Sequence, residues 1–217
     1  MNAHDEPLLT AIEARVLGCL VEKEAATPES YPLTVNAAHV AANQNTARDP
    51  VMSLDPGDVH HALRQLERKG LAKQTFSSRA ERFEHRMPQA LGLPGPQVAL
   101  LGLLLLRGAQ TAHELLARSG RTSHFPDADA VRHHLDRLVQ RDPALVVRIP
   151  RGPGQREDRY MHLLCGPVDV AAFATSDGAM DDARQRTADT TALEARVDAL
   201  EREVAELRAQ LANLQQR

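Results

Sequence analysis

At 217 residues, with 3% aromatics, no Trp and recurrent Leu and Ala, the chain suits one or two small helix-rich cores and excludes a large β-sandwich or barrel. Its 26 Lys and Arg stand against 29 Asp and Glu, a formal charge of -3, which excludes a protein held on DNA by bulk charge alone. The opening MNAHDEPLL lacks a basic flank and an apolar core, and the apolar run at 100–106 is far short of the ~20 residues that span a bilayer, so a cytoplasmic address with no membrane contact is expected.

Leu9, Ile12, Val16, Leu17 and Leu20 recur at helical spacing and predict a first helix over 9–21, with Thr10 and Glu13 forming a capping box. Cys19 lies inside this apolar run and Cys165 closes another, so both are expected to fill buried sites as small hydrophobes. The proline-bearing stretch 27–32 is a connection, after which Thr34 caps a second helix to about Ala42. Asn43, Gln44 and Asn45 end it. The loop 45–54 is longer than a tight helix-turn-helix connection. Tyr31, Asn36, Asn43, Gln44, Arg48 and Asp49 are polar groups that either brace that loop or offer a partner-binding surface.

The third helix has the clearest ends: Asp55 as N-cap, Pro56 at the first position, Asp58 in the first turn and Gly70 after the last. Val59, Leu63 and Leu66 form its inward face. Residues 71–76 and 82–87 alternate as two short strands joined by 77–81, a hairpin in the position of a wing.

The same plan then recurs. VHHALRQL at 59–66 returns as VRHHLDRL at 131–138; Leu100 to Leu104 match Val16 to Leu20 at an offset of 84, Thr111 matches Thr34 at 77, and Val131 matches Val59 at 72. Offsets that shrink this way place the deletions in the two interhelical loops, where length is tolerated. A second hairpin is expected from 144–149 and 159–164 around PRGPGQRED. The helix VALLGLLLL at 98–106 is apolar almost all round, more than one small core requires, so part of it is expected to meet the first unit.

From 171 to 191 the sequence turns small and polar and reads as a linker. Beyond it Leu193, Val197, Leu200, Val204, Leu207, Leu211 and Leu214 are spaced alternately four and three apart, a heptad seam with Val197, Val204 and Leu211 at a and the remaining leucines at d. The spacing suits a parallel two-stranded coil, hence a homodimer; a single amphipathic helix docked on its own body is the alternative. The expected fold is therefore mainly α with small β-hairpins: two tandem winged helix-turn-helix domains at 1–90 and 91–170, the linker, and a coiled-coil helix at 192–217.

In such domains the third helix enters the major groove and the wing meets the backbone. The candidate nucleic-acid contacts are His61, Arg64, Gln65, Arg68 and Lys69 on the first such helix and Arg132 and Arg137 on the second. Arg79, Arg82 and Arg86 belong to the first wing, and Arg148, Arg151, Arg156 and Arg159 to the second. Glu67, Glu81, Glu84, Asp136, Glu157 and Asp158 interleave with them, so a solvated, salt-bridged face is the plain alternative. The pairs His60-His61 and His133-His134 point about 100 degrees apart on a helix and have no accompanying Cys/His set of zinc spacing, and His113-Glu114 lacks the second histidine of a zinc-protease helix because Ala117 stands there. No metal, cofactor or catalytic group is expected. The chain also carries neither GxxxxGK(S/T) nor GxSxG.

The stretch ARVLGCLVEKEAATPESYPLTVNAAHVAANQNTARDPVMSL, with RAERFEHRM and REDRYMHLL in the two hairpins, resembles the YceH-like family of uncharacterised bacterial proteins. The resemblance spans about 8–166 and rests on Glu22-Lys23-Glu24, Tyr31 to Thr34, Asn36, Asn43-Gln44 and Arg48 to Met52 standing in family order. It implies a tandem winged-helix fold in a Gram-negative cytosol and brings no activity with it. Two functions follow for testing: a noncatalytic dimer that binds double-stranded DNA, or an adaptor that uses the same surfaces to bind a protein partner. The acidic balance favours the second.

Overall fold

The computed structural model describes residues 8–77 and 80–170. Seven helices and two three-stranded antiparallel sheets lie within them, a mixed α/β architecture. The helix α1 (Ala11–Ala26) opens with the expected capping box: the Thr10 hydroxyl accepts from the Glu13 amide at 3.2 Å, and the Glu13 carboxylate accepts from the Thr10 amide at 2.6 Å. It runs about a turn beyond the apolar stripe. A 3-10 turn, Pro28–Ser30, leads to the two-residue strand β1 (Leu33–Thr34) and to α2 (Val35–Ala42), capped by Thr34. Then come α3 (Pro56–Arg68), the hairpin β2 (Ala72–Ser77) and β3 (Ala80–His85), and a short helix α4 (Met87–Leu91). Asp55 holds the N-cap place of α3, yet its carboxylate makes no bond to the helix, so this start rests on the fixed φ of Pro56.

The second half repeats the order with α5 (Gly95–Arg107), β4 (Gln110–Thr111), α6 (Ala112–Ser119), α7 (Ala128–Val139), β5 (Val146–Ile149) and β6 (Arg159–His162). The strand orders correspond too, β1-β3-β2 and β4-β6-β5. Leu33 pairs with Phe83 and Gln110 with Tyr160, so each short strand before the second helix of a repeat joins the hairpin of that repeat. Neither short strand was legible in sequence, because two residues carry no alternation to read. The second hairpin is also shorter than expected: residues 144–145 and 163–164 lie outside its strands. Thr111 caps α6 as Thr34 caps α2, and Val59 and Val131 are both fully buried.

One apolar core runs through both repeats, from Leu17, Leu20, Leu63, Leu66 and Phe83 to Leu101, Leu104, Leu115, Val131 and Leu135. Each large side chain contributes about 1.5–3 kcal/mol of burial. Residues 8–151 and 156–170 fall within one compact unit, and the expected contact of the second repeat's first helix with the first repeat is present as the packing of α1 on α5. Glycines allow the close approach. A Cβ on Gly18 would stand 2.8 Å from Leu106 Cγ, and one on Gly102 only 2.7 Å from Val21 Cγ1. These two glycines occupy the same place in the two repeats. Backbone bonds reinforce the join, from the Leu9 amide to the Leu164 carbonyl at 2.8 Å and from the Asp49 amide to the Leu106 carbonyl at 2.9 Å.

Of the polar residues expected to brace the loop 45–54, Asn43, Gln44 and Arg48 do so, while the Tyr31 hydroxyl accepts from the His85 amide at 2.6 Å. Asn43 donates to the Leu54 carbonyl at 2.9 Å and accepts from its amide at 2.8 Å. Two buried arginines do more. Arg15 donates to the Ala42 and Pro50 carbonyls, and Arg48 reaches the Ala41 carbonyl, Gln44 and both oxygens of Glu22. Burial opposes the charge of Arg48, but the Glu22 carboxylate outweighs it and holds the guanidinium above its ordinary pKa. Cys19 is buried as expected. Cys165 is not: it is exposed, because the turn that follows β6 turns it outward, and the expectation of a buried thiol is corrected there. No helix among the described residues is long and apolar enough to cross a membrane. The linker and the heptad seam, with all seven of its apolar positions, lie outside the described residues.

Candidate nucleic-acid surface

Helix α7 begins at Asp127, whose carboxylate accepts from the Ala130 amide at 2.8 Å. Burying Val131, Leu135 and Leu138 on one side fixes the helix against the core and turns Arg132, His133 and Arg137 outward. Across from it, β5 buries Val146 and Ile149 at its two ends and exposes Arg148 between them. With Ala112 of α6 and the segment 151–160, the two elements line a concavity of about 370 Å³ that gathers Arg132, Arg148, Arg151 and Arg156 together with Glu157 and Asp158.

Asp158 organises this group. Its carboxylate accepts from the Arg151 amide at 2.9 Å and from Arg148 Nε at 2.6 Å. The Arg151 amide, with the Arg148 charge behind it, holds the Asp158 carboxyl below its ordinary pKa. Arg132 pairs with Asp129 at 2.7 Å and stands 3.8 Å from Glu157. Arg137 and Arg156 form no ion pair among the described residues and are exposed. Arg159 belongs to a different environment: only 8% exposed, it donates to the Ala109 carbonyl at 3.1 Å and to Glu114 at 3.3 Å. It ties β6 to the start of α6 and is set too deep to reach an external phosphate.

The corresponding face of the first repeat is neutralised from within. Arg64 bonds Glu67, Gln74 and Glu81 and lies 5.7 Å from the Phe83 ring centroid. Lys69 bonds Glu13 and the Leu8 carbonyl, each at 2.8 Å. Burial alone would raise the Glu13 pKa, but Lys69 and the Thr10 amide outweigh it and hold the carboxyl low. Arg82 donates to the Pro32 carbonyl at 2.7 Å, and Arg86 pairs with Glu84 at 3.2 Å. His61 and Gln65 bond each other at 3.2 Å, Arg68 is exposed, and Arg79 lies outside the described residues. Most of the first repeat's cations are therefore occupied. Glu67, three residues after Arg64, was the sequence signal for it.

The rings of His133 and His134 meet edge-on, with centroids 5.7 Å apart. His134 lies edge-on to Phe125, with ring centroids 5.7 Å apart, and burial followed by the His133 and Arg137 charges lowers its pKa. Among the described residues no group of three or more His, Cys, Asp or Glu is placed to hold a metal ion.

Residues 9–155 match the family model described as "Protein of unknown function, DUF480". The chain belongs to this family. Within it, the UPF0502 protein of Xanthomonas axonopodis pv. citri is 59% identical over 211 residues, covering 97% of this chain and 94% of its own length. The UPF0502 protein of Mesorhizobium japonicum is 58% identical over 212 residues, with 96% and 97% covered, and that of Stenotrophomonas maltophilia 60% identical over 214, with 97% and 95% covered. The YceH-like resemblance is consistent with DUF480 membership.

Proposed function

We propose that each repeat is a winged helix-turn-helix unit and that the chain is a noncatalytic, dimeric, DNA-binding protein of the transcription-regulator kind, gripping duplex phosphates chiefly through its second repeat. The observation that carries this reading is the gathering of Arg132, Arg148, Arg151 and Arg156 around one concavity between α7 and the β5–β6 hairpin. Guanidinium forks suit phosphate oxygens, with Arg132 and Arg148 exchanging Asp129 and Asp158 for them. Arg137, exposed and unpaired among the described residues, adds a charge on the same helix. Dimerisation through Leu193, Val197, Leu200, Val204, Leu207, Leu211 and Leu214 rests on their heptad spacing and would double the arginines offered.

Anisotropy of a labelled random duplex at about 50 and 200 mM salt tests the reading, because every phosphate contact adds about 0.9 to the log-log salt slope. Steep weakening is expected. Replacing Arg148, Arg151 and Arg156 together by Ala should flatten the slope by up to about 2.7 per chain. Absence of binding at the lower salt ends the DNA reading and favours the adaptor. One observation supports that second reading for the first repeat: its cations are tied to neighbouring acids and carbonyls, while Val40 and Val51 are 58% and 56% exposed.

A further inference from the structure

A second cleft, of about 640 Å³, opens where the two repeats meet. The end of α1 and the turn 45–47 form one wall; α5, α6 and the turn after α6 form the other. Four cations line it, Lys23, Arg107, Arg118 and Arg121, in a chain whose formal charge is -3. The acids nearby cancel them only in part: Lys23 stands 3.9 Å from Glu22. Glu22 is held by Arg48 through both carboxylate oxygens, and Glu114 divides its charge between Arg118 at 3.4 Å and Arg159 at 3.3 Å.

Arg107 and Arg121 carry no ion pair among the described residues, and of the two only Arg107 is shielded from water. Arg107 is the last residue of α5, half-buried, and its side chain makes no hydrogen bond or ion pair among the described residues. Burial, and then the charge of Arg118, lower its pKa from the ordinary guanidinium value, and the charges of Glu22 and Glu114 offset this only in part. The cleft wall also contains the one positive-φ residue other than glycine among the described residues, Ala47 at φ 62, whose carbonyl accepts from Arg48 at 2.9 Å. Left-handed backbone at a residue with a Cβ costs about 1 kcal/mol and persists where surroundings impose it, as they do at ligand sites.

The geometry points to an anion site between the repeats that takes a small phosphate-bearing molecule, with Arg107 at its centre and Lys23, Arg118 and Arg121 around it. The volume falls within the range of small-molecule pockets and is too small for a duplex. An anion here supplies Arg107 with the partner its own chain does not. Because the four cations come from both repeats, binding also bridges them and stabilises the fold by mass action. This site is separate from the arginine face of α7 and does not depend on the DNA reading.

The probe is inorganic pyrophosphate, titrated into the full chain and followed by thermal melting and calorimetry, against sodium chloride at matched ionic strength. A saturable rise in Tm beyond the chloride control is expected. Arg107→Met, which keeps the aliphatic stem, should weaken binding at least tenfold, and Arg121→Ala severalfold, whereas Lys73→Ala, at an exposed cation of β2 in the first repeat, should leave it unchanged. Arg121 lies in the turn after α6, outside any helix, so its variant decides the matter if Arg107→Met fails to fold. The proposal is overturned if pyrophosphate does no more than chloride, or if both cleft variants bind it as the parent does. It is overturned equally if a short duplex at the same phosphate concentration gives an Arg107-dependent shift, which would make the cleft part of a nucleic-acid path.

Discussion

Substituting Gly102 by Ala tests how the repeats are held together. The new Cβ would lie 2.7 Å from Val21 Cγ1 and 3.2 Å from Val21 Cβ, where non-bonded carbons prefer about 3.5–4.0 Å. Val21 has little room to yield, since a β-branched side chain in a helix keeps one χ1 rotamer. Overpacking of this kind costs about 1–3 kcal/mol, and the gain in helix propensity from Gly to Ala returns about 0.8–1. A net loss of about 1 kcal/mol is expected. Val21→Ala alone removes two buried methyl groups, about 1.6 kcal/mol of transfer energy, and leaves a cavity besides. Together the two changes should cost less than their sum, because the methyl introduced at position 102 occupies the space that Val21 vacates; the coupling should reach about 1–2 kcal/mol. Urea unfolding followed by circular dichroism at 222 nm gives all four stabilities, with a constant m-value confirming that the transition itself is unaltered. If the single costs add within about 0.5 kcal/mol, the α1–α5 crossing is not the close contact described above, and the account of the shared core fails with it.

Two further predictions concern buried titratable groups. Burial lowers the pKa of His162 to about 4 from an unfolded value near 6.5, so the unfolded chain takes up a proton first and the native state loses stability as pH falls from about 6.5 to 4, by roughly 3 kcal/mol in all. His162→Gln should show a correspondingly smaller drop in urea midpoint between pH 7 and 4.5; equal drops in both proteins would refute the assignment. Burial pushes the Cys19 thiol up to about 11 while Cys165 is exposed, so a disulfide-exchange reagent should titrate one thiol per native chain and the second only in denaturant. Two thiols reacting at one rate in the native protein would show that α1 is not enclosed as described.

The repeat was legible because its markers are packing residues. Val59 and Val131, Thr34 and Thr111, and Gly18 and Gly102 each stand where the fold admits few alternatives, and the sequence places them at steadily shrinking offsets. The strands β1 and β4 left no trace, since a pair of residues extends a sheet without any periodicity. The burial of Arg159 is hidden from sequence for a related reason. Sequence position put it on the rim of a hairpin with three exposed arginines, but its partner Glu114 is 45 residues away and only the fold brings the two within 3.3 Å. The inter-repeat cleft was invisible for the same cause, as Lys23 and Arg121 lie almost a hundred positions apart and share no motif.

Equivalent cores with unlike surfaces make a specific point about duplication. The α1–α5 contact requires each repeat to keep its glycine and its apolar stripe, so drift there is penalised by about 1–3 kcal/mol a step. Charges on the outward helices carry no such penalty, because exposed ion pairs are worth only about 0–1 kcal/mol. Arg64 pairs with Glu67 and Glu81, and in the second repeat Arg132 and Arg148 pair with Asp129 and Asp158, but Arg137 and Arg156 there have no ion pair among the described residues. Closing off a cation in this way lowers its value to any external phosphate, since the internal pair must first be broken. The two repeats are thus interchangeable as scaffolds and unequal as surfaces, and an exchange of Glu67 and Glu81 for Gln should move the first repeat's face toward the second in phosphate affinity while leaving the shared core untouched.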